Sequence, residues 1–221
     1  MHIEPGFVTP AKVILANASA IGVVAWGAKE QVKTLLREPW MPLKTVAAAA
    51  FFSLFMQSYS IPSGPSELHF VGAMAMYLTF GFLPTLLGFA AGLLFQGLVF
   101  NPADLMHLGV NSLTLMLPLI AVHAATGRTL FTEGAARRLT WARIVQLDAM
   151  YYAGVTGMVG FWLLMGTSQT PLASWLTFAG SYLALIAVEP LVTWGIVKGL
   201  KRFEGNALVD RLFVVSRLRV A

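Results

Sequence analysis

Long apolar runs separated by short polar segments dominate the 221-residue chain. They fall near 10–28, 43–60, 69–83, 84–100, 108–126, 146–166 and 173–199, and most approach the ~20 residues a helix needs to cross a bilayer. The third and fourth share one apolar stretch from Phe70 to Phe100. Gly81 and Pro84 mark a break within it, because proline removes a backbone donor and its ring crowds the preceding turn. Read as two crossings, 69–100 gives seven spans; read as one, it gives six. The pattern predicts an all-α polytopic membrane bundle over residues 1–199, followed by a basic amphipathic cytoplasmic tail over 200–221.

Charge decides the count. Lys29, Lys33, Arg37 and Lys44 lie between the first two runs, and Arg128, Arg137, Arg138 and Arg143 between the fifth and sixth. Lys198, Lys201, Arg202, Arg211, Arg217 and Arg219 follow the seventh. With seven spans these fourteen of the 15 Lys and Arg share one side, and only Lys12 lies near the other. Six spans would put the first two groups on opposite sides. Basic loops stay in the cytoplasm, so the pattern selects seven transmembrane helices, N-terminus outside, in the inner cell membrane.

Composition excludes a soluble domain. The chain is 57% hydrophobic and 11% charged, with a mean hydropathy of +0.72, against about 25% charged residues in soluble domains. In this topology the net charge of +5 anchors loops to the membrane and is no nucleic-acid surface. The tail "KRFEGNALVDRLFVVSRLRV" either lies on inner-leaflet lipid, contacts partner subunits, or simply anchors the seventh span. There is no cysteine, so disulfides and thiolate metal sites are excluded, leaving nitrogen, oxygen or thioether ligands.

The opening "MHIEPGF" carries the first candidate chemistry. A secretory signal would begin with a basic segment, and here no Lys or Arg precedes Lys12. A retained Met1 would place a free α-amine one residue from the imidazole of His2. The predicted topology puts His69, at the end of the loop "SIPSGPSELH", on the same membrane face. Together the Met1 amine, the His2 ring and backbone nitrogens and the His69 ring would make a four-nitrogen site suited to Ni(II), Cu(II) or Co(II). Gly64 and Pro65 set a turn, and Ser66 and Glu67 would support the ligands with hydrogen bonds. The plainer reading makes His2 an exposed terminal residue and His69 a helix-start residue bonded to water.

Other polar residues within or beside apolar runs have two readings each. His107, at the outer start of the fifth run, is a further ligand or access-path residue, or an interfacial imidazole. His123 lies sixteen residues on, ~24 Å deeper, and reads as buried and hydrogen-bonded. Glu189 is deep in the seventh run, with Asp148 nearer a cytoplasmic end. Glu189 is either functional, as intramembrane carboxylates tend to be, or the partner of a backbone group freed by Pro190. Gly88, Gly92, Gly154, Gly157 and Gly160 read as helix-packing positions. Met74, Met76, Met106 and Met116 read as core filler more readily than as a Cu(I) path. The P-loop, G-x-S-x-G and H-E-x-x-H patterns are missing, as is a mid-span lysine in the seventh run, so neither ATP hydrolysis nor a retinal Schiff base is expected here.

"MHIEPGF", Ile61-Pro62-Ser63, Ser66 to His69, "LLFQGL" with Gln96, and "LGVNSLTLMLP" with Asn111 occur in an order that resembles a known family. It is the CbiM/NikM-type substrate-capture membrane subunit of energy-coupling-factor cobalt and nickel transporters. The resemblance covers roughly residues 1–125; beyond them only hydropathy agrees. It implies seven helices with the N-terminus outside, and a metal held by the Met1 amine, His2 and His69. Family members read S-H-P-T-G around the loop histidine where this chain reads "SELHFVG", so Glu67 either joins the ligands or neutralises charge beside them. The resemblance also implies a non-catalytic subunit that captures Co(II) or Ni(II) as its transported ligand, with no resident cofactor. Separate ATPase subunits and a coupling transmembrane subunit would drive transport. The competing expectation is a non-metal permease or assembly protein using Glu189.

Overall fold

Thr9 and Pro10 start the first helix: the Thr9 hydroxyl accepts the Lys12 N–H at 3.4 Å. Pro10 takes the position where its missing donor costs nothing. In this computed structural model, which describes residues 3, 7–58, 60–63, 66–131, 138–164 and 172–220, α1 (Pro10–Thr34) and α2 (Met41–Ser58) are followed by a two-stranded antiparallel hairpin. The hairpin comprises β1 (Ser60–Ser63) and β2 (Ser66–His69), and pairs Ser60 with His69 and Ile61 with Leu68. Then come α3 (Ala73–Phe80), α4 (Phe82–Val99), α5 (Leu108–Ala125), α6 (Trp141–Leu164), α7 (Leu172–Lys201) and α8 (Ala207–Leu212). A 3-10 turn, Pro102–His107, leads into α5.

Side-chain contacts fix the helix directions. Gly88 of α4 faces Ala48 of α2, where an added Cβ would meet the Ala48 Cβ at 2.8 Å, and at Gly92 it would fall on the Phe52 ring. With Gln57 bonded to Gln96 at 2.9 Å, α2 and α4 therefore run parallel in tight contact. Asn17 Oδ1 accepts the Gly109 N–H at 2.7 Å, and further along both helices Trp26 and His123 pack on the same Phe82 ring, so α1 and α5 also run parallel. Gly154 against Pro118, and Trp162 Nε1 donating to Thr114 at 3.0 Å, set α6 antiparallel to α5. One end of the bundle thus collects the start of α1, the ends of α2 and α4, and the start of α5. The opposite end carries Trp26 against Phe82, and His123 stacked on Phe82.

The apolar surface faces outward. Ile14, Leu15, Ile21, Leu54 and Leu183 are all exposed, an arrangement that only lipid tails satisfy at this scale. Among the described residues four helices are long and apolar enough to cross a membrane: α1, α4, α5 counted from Pro102, and α7. α1 turns the small residues Ala16, Ala20 and Gly27 inward, and Gly27 packs against Leu86 and Leu87.

The third predicted run, 69–83, needs correction. It is no single helix: β2 extends to His69, and only Ala73–Phe80 is helical, about 12 Å of rise, well short of a ~30 Å hydrocarbon core. The hairpin that precedes it packs on α7. Non-helical backbone at that depth survives only when protein shields it, and Leu68, Val71 and all eight residues of α3 are buried. The expected break is present at Gly81, whose φ of 91° lets the chain turn directly from α3 into α4. Gly157 is also corrected: nothing lies within 4 Å of its missing Cβ, so it is no packing position.

The tail returns to the bundle. The Val214 N–H donates to the Thr79 carbonyl at 2.7 Å, the Leu139 N–H donates to Arg219 at 2.7 Å, and Val215 and Leu218 are buried. Arg217 and Lys44 both reach Glu38, at 2.8 Å and 3.3 Å.

Candidate metal centre

The predicted ligands Met1 and His2 lie outside the described residues, and Ile3 is the first residue placed. Its side chain is fully buried. Both its backbone groups are held by side chains more than a hundred positions away: its N–H donates to Asn111 Oδ1 at 3.1 Å, and its carbonyl accepts from His107 Nδ1 at 3.0 Å. Buried backbone groups need partners, and here two helix-start side chains supply both. The chain therefore enters the bundle interior at its third residue.

His107 and Asn111 sit four residues apart, on one face of the turn that opens α5, and both are buried. The reading of His107 as an interfacial imidazole is corrected accordingly. Asn111 Nδ2 has no hydrogen-bond partner among the described residues.

His69 is the last residue of β2 and is buried, which overturns the picture of a helix-start imidazole bonded to water. Its Nδ1 lies 3.1 Å from the Met56 carbonyl. A carbonyl only accepts, so Nδ1 carries the proton, and in the neutral ring Nε2 then holds the lone pair. That backbone-anchored tautomer is the one metal-binding histidines adopt.

Gln96 completes the support around α2: its Nε2 donates to the Ser53 carbonyl at 3.2 Å, and its Oε1 accepts from Gln57. His69 and Gln96 are thus tied to neighbouring carbonyls in the last turns of α2, at the end of the bundle that also holds Ile3, His107 and Asn111. Ser66 and Glu67 pair with Ser63 and Pro62 through the backbone register; their side chains lie outside what the structure describes. Among the described residues no group of three or more His, Asp or Glu gathers as a metal cluster.

The remaining candidates separate from this end. His123 shares a hydrogen bond between Nδ1 and the Tyr77 hydroxyl at 2.8 Å; it is bonded as expected but half-buried, not buried. Met74, Met76 and Met116 are buried but Met106 is exposed, so the four form no continuous thioether line.

Glu189 is fully buried. Its Oε2 accepts from the Tyr152 hydroxyl, and the carboxylate stands against the N–H groups of Gly72, Ala73 and Met74. No well-formed hydrogen bond reaches Oε1. The expectation of a partner freed by Pro190 is therefore corrected: the backbone facing Glu189 is the start of α3, because the electropositive end of a helix attracts an anion. Asp148, two turns into α6, is fully buried as well and lies within electrostatic reach of Glu189.

Sequence reasoning missed Ile3, Asn17, Gln57 and Tyr152. Asn17 and Gln57 left a legible signal, each a lone amide in an apolar run. Ile3 left none, since its role is carried by its backbone.

A helix bundle with a lipid-facing apolar surface, and with Ile3, Leu68 and His69 drawn inside, defines a multi-pass membrane protein. The chain belongs to the CbiM family, matching its cobalt uptake substrate-specific transmembrane region over residues 2–207. That match extends well past residue 125, where the recognisable residue blocks stop.

Among similar proteins is one from Haloquadratum walsbyi (strain DSM 16790 / HBSQ001) named "Putative metal transport protein HQ_3621A". It is 28% identical over 206 residues, 89% of this chain and 88% of that protein. A crystal structure of a transition metal transporter superposes with a TM-score of 0.71 at 19% identity, covering 96% of this chain and 97% of that one. A truncated transition metal transporter gives 0.68 at 17% identity, over 90% and 99%. These two likenesses bear on the fold.

Proposed function

We propose that this chain is the membrane-embedded substrate-binding component of an ATP-driven uptake system for a divalent transition metal, Co(II) or Ni(II). It crosses the membrane seven times, with its N-terminus outside and its C-terminus in the cytoplasm. The ion is captured at the outer face by the Met1 amine, His2 and His69, while ATP hydrolysis and coupling reside in partner subunits.

The observation that carries this reading is the double anchoring of Ile3 by Asn111 and His107. Two residues reach no more than ~7 Å, so the amine and His2 are tethered close to that buried anchor. The backbone-fixed tautomer of His69 and membership in a cobalt uptake family support the same reading.

The test is metal retention by the purified full-length protein in lipid nanodiscs, with elemental analysis to identify the ion. Adding one residue before Met1, or His69→Ala, removes retention while the bundle stays folded. Retention that survives both changes rejects the ligand set.

A further inference from the structure

Glu189 and Tyr152 belong to a buried polar cluster that metal capture does not use. We propose that Glu189 is a positioning residue for His69: an α7 carboxylate that holds the intramembrane start of α3, and through it the end of the hairpin. The inference rests on the reading of His69 as a metal ligand.

The geometry is a short mechanical chain. His69 ends β2, and only Phe70 and Val71 separate it from Gly72, whose φ of 64° starts α3. No side chain caps that helix locally, so its first N–H groups must find an acceptor elsewhere or stay unpaired in a dry interior. The carboxylate of Glu189 stands against them across the α3–α7 contact as a buried charge, with no well-formed hydrogen bond to Oε1, and the Tyr152 hydroxyl of α6 donates to Oε2. Tyr152 also packs against Tyr182 of α7, ring centroids 5.1 Å apart, so α6 and α7 hold the carboxylate between them.

The opposite end of α3 is held too, where the Thr79 carbonyl accepts the Val214 N–H at 2.7 Å. An anion at the start and a donor at the end both complement the helix dipole. α3 is thus a strut fixed at each end, with the His69 hairpin continuous with its intramembrane end. Leu68 and Phe70, on either side of His69, line an apolar hollow with Ala184, Leu185 and Val188 of α7, one turn from Glu189.

The experiment uses the full-length protein in nanodiscs and Co(II) alone as the probe. In Glu189→Gln, which keeps size and an acceptor but removes the charge, amide hydrogen exchange rises over residues 66–76 and stays unchanged in α4 and α5. Co(II) binding weakens about tenfold, within what an anion at a partly buried helix start contributes. The shape of its pH dependence is retained, because the ligands themselves are untouched. Tyr152→Phe gives the same pattern to a smaller extent.

Asp148→Asn is the control: it changes a buried carboxylate of the same cluster that faces Glu189 but no α3 amide, and leaves exchange over 66–76 as in the unsubstituted protein. Equal loosening by Asp148→Asn, or no local change in Glu189→Gln, overturns the proposal. If the unsubstituted protein binds no Co(II), the metal reading fails, and the exchange result still decides whether Glu189 holds α3.

Discussion

Replacing Asn111 with leucine isolates the anchoring of the N-terminal segment. Leucine keeps asparagine's branching and number of heavy atoms, but it offers no acceptor to the Ile3 N–H now bonded at 3.1 Å. Asn111 Nδ2 has no partner among the described residues, so the substitution removes one hydrogen bond and little else. A buried donor left unpaired costs about 1–3 kcal/mol. The segment can avoid that cost by leaving the bundle and rehydrating, so the loss falls on docking and not on global stability. Because two of the proposed ligands ride on the docked segment, affinity for Co(II) or Ni(II) falls about 5- to 150-fold.

Isothermal titration of nanodisc-embedded protein reads the affinity, and thermal unfolding of the metal-free protein reads the bundle. His107→Phe, which removes the donor to the Ile3 carbonyl, acts in the same direction. The double variant loses less than the sum, since the second change meets a segment already released. An affinity within about twofold of the unsubstituted protein, or a metal-free bundle that no longer folds, would refute the reasoning.

Gly92→Leu drives a side chain into Phe52 and the α2 backbone and should destabilise the bundle by about 1–3 kcal/mol. Gly157→Leu, with open space at its Cβ, should stay within about 0.5 kcal/mol; thermal unfolding in detergent distinguishes them. Burial works against the charge on Glu38, but the hydrogen bond and charge of Arg217, together with Lys44, outweigh it and hold the carboxyl below its usual range. A lowered folded value means the contribution is full above the unfolded carboxylate value of about 4.3 and is lost as pH falls through the folded one. The tail should therefore dock across neutral pH and loosen below about pH 4, and Arg217→Ala should loosen it at any pH, read as proteolytic cleavage within residues 213–220. Metal binding should weaken steeply below about pH 6, where imidazoles near 6.5 and an α-amine near 8 take up protons; a flat profile from pH 5 to 8 would exclude nitrogen ligands.

Much of the helix order was legible because lipid-facing helices announce themselves by hydropathy, and Gly81 by its place in an unbroken apolar run. The third run was not legible. Ser60 to His69 reads as an irregular loop because its residues are polar and turn-forming, yet Ser60–Ser63 and Ser66–His69 pair as strands and the last two residues, Leu68 and His69, are buried. Hydropathy reports which residues prefer lipid and is silent on polar backbone that protein shields. The same blindness hid the anchor of Ile3, whose backbone partners lie 104 and 108 positions away.

Glu189 was conspicuous in sequence but its partner was not, for a physical reason that bears on how such proteins are read. A carboxylate deep in an apolar run must be compensated, and the search naturally goes to cations or to the proline beside it. Here the compensation is the Tyr152 hydroxyl together with a helix start, a charge written in no side chain. A helix start and a carboxylate buried side by side offset one another's charge, which ties a half-length helix to a carboxylate in an apolar run. The short run Ala73–Phe80 and the lone Glu189 could have been paired on that ground, and the pairing would have put the start of α3, and His69 three residues before it, next to α7.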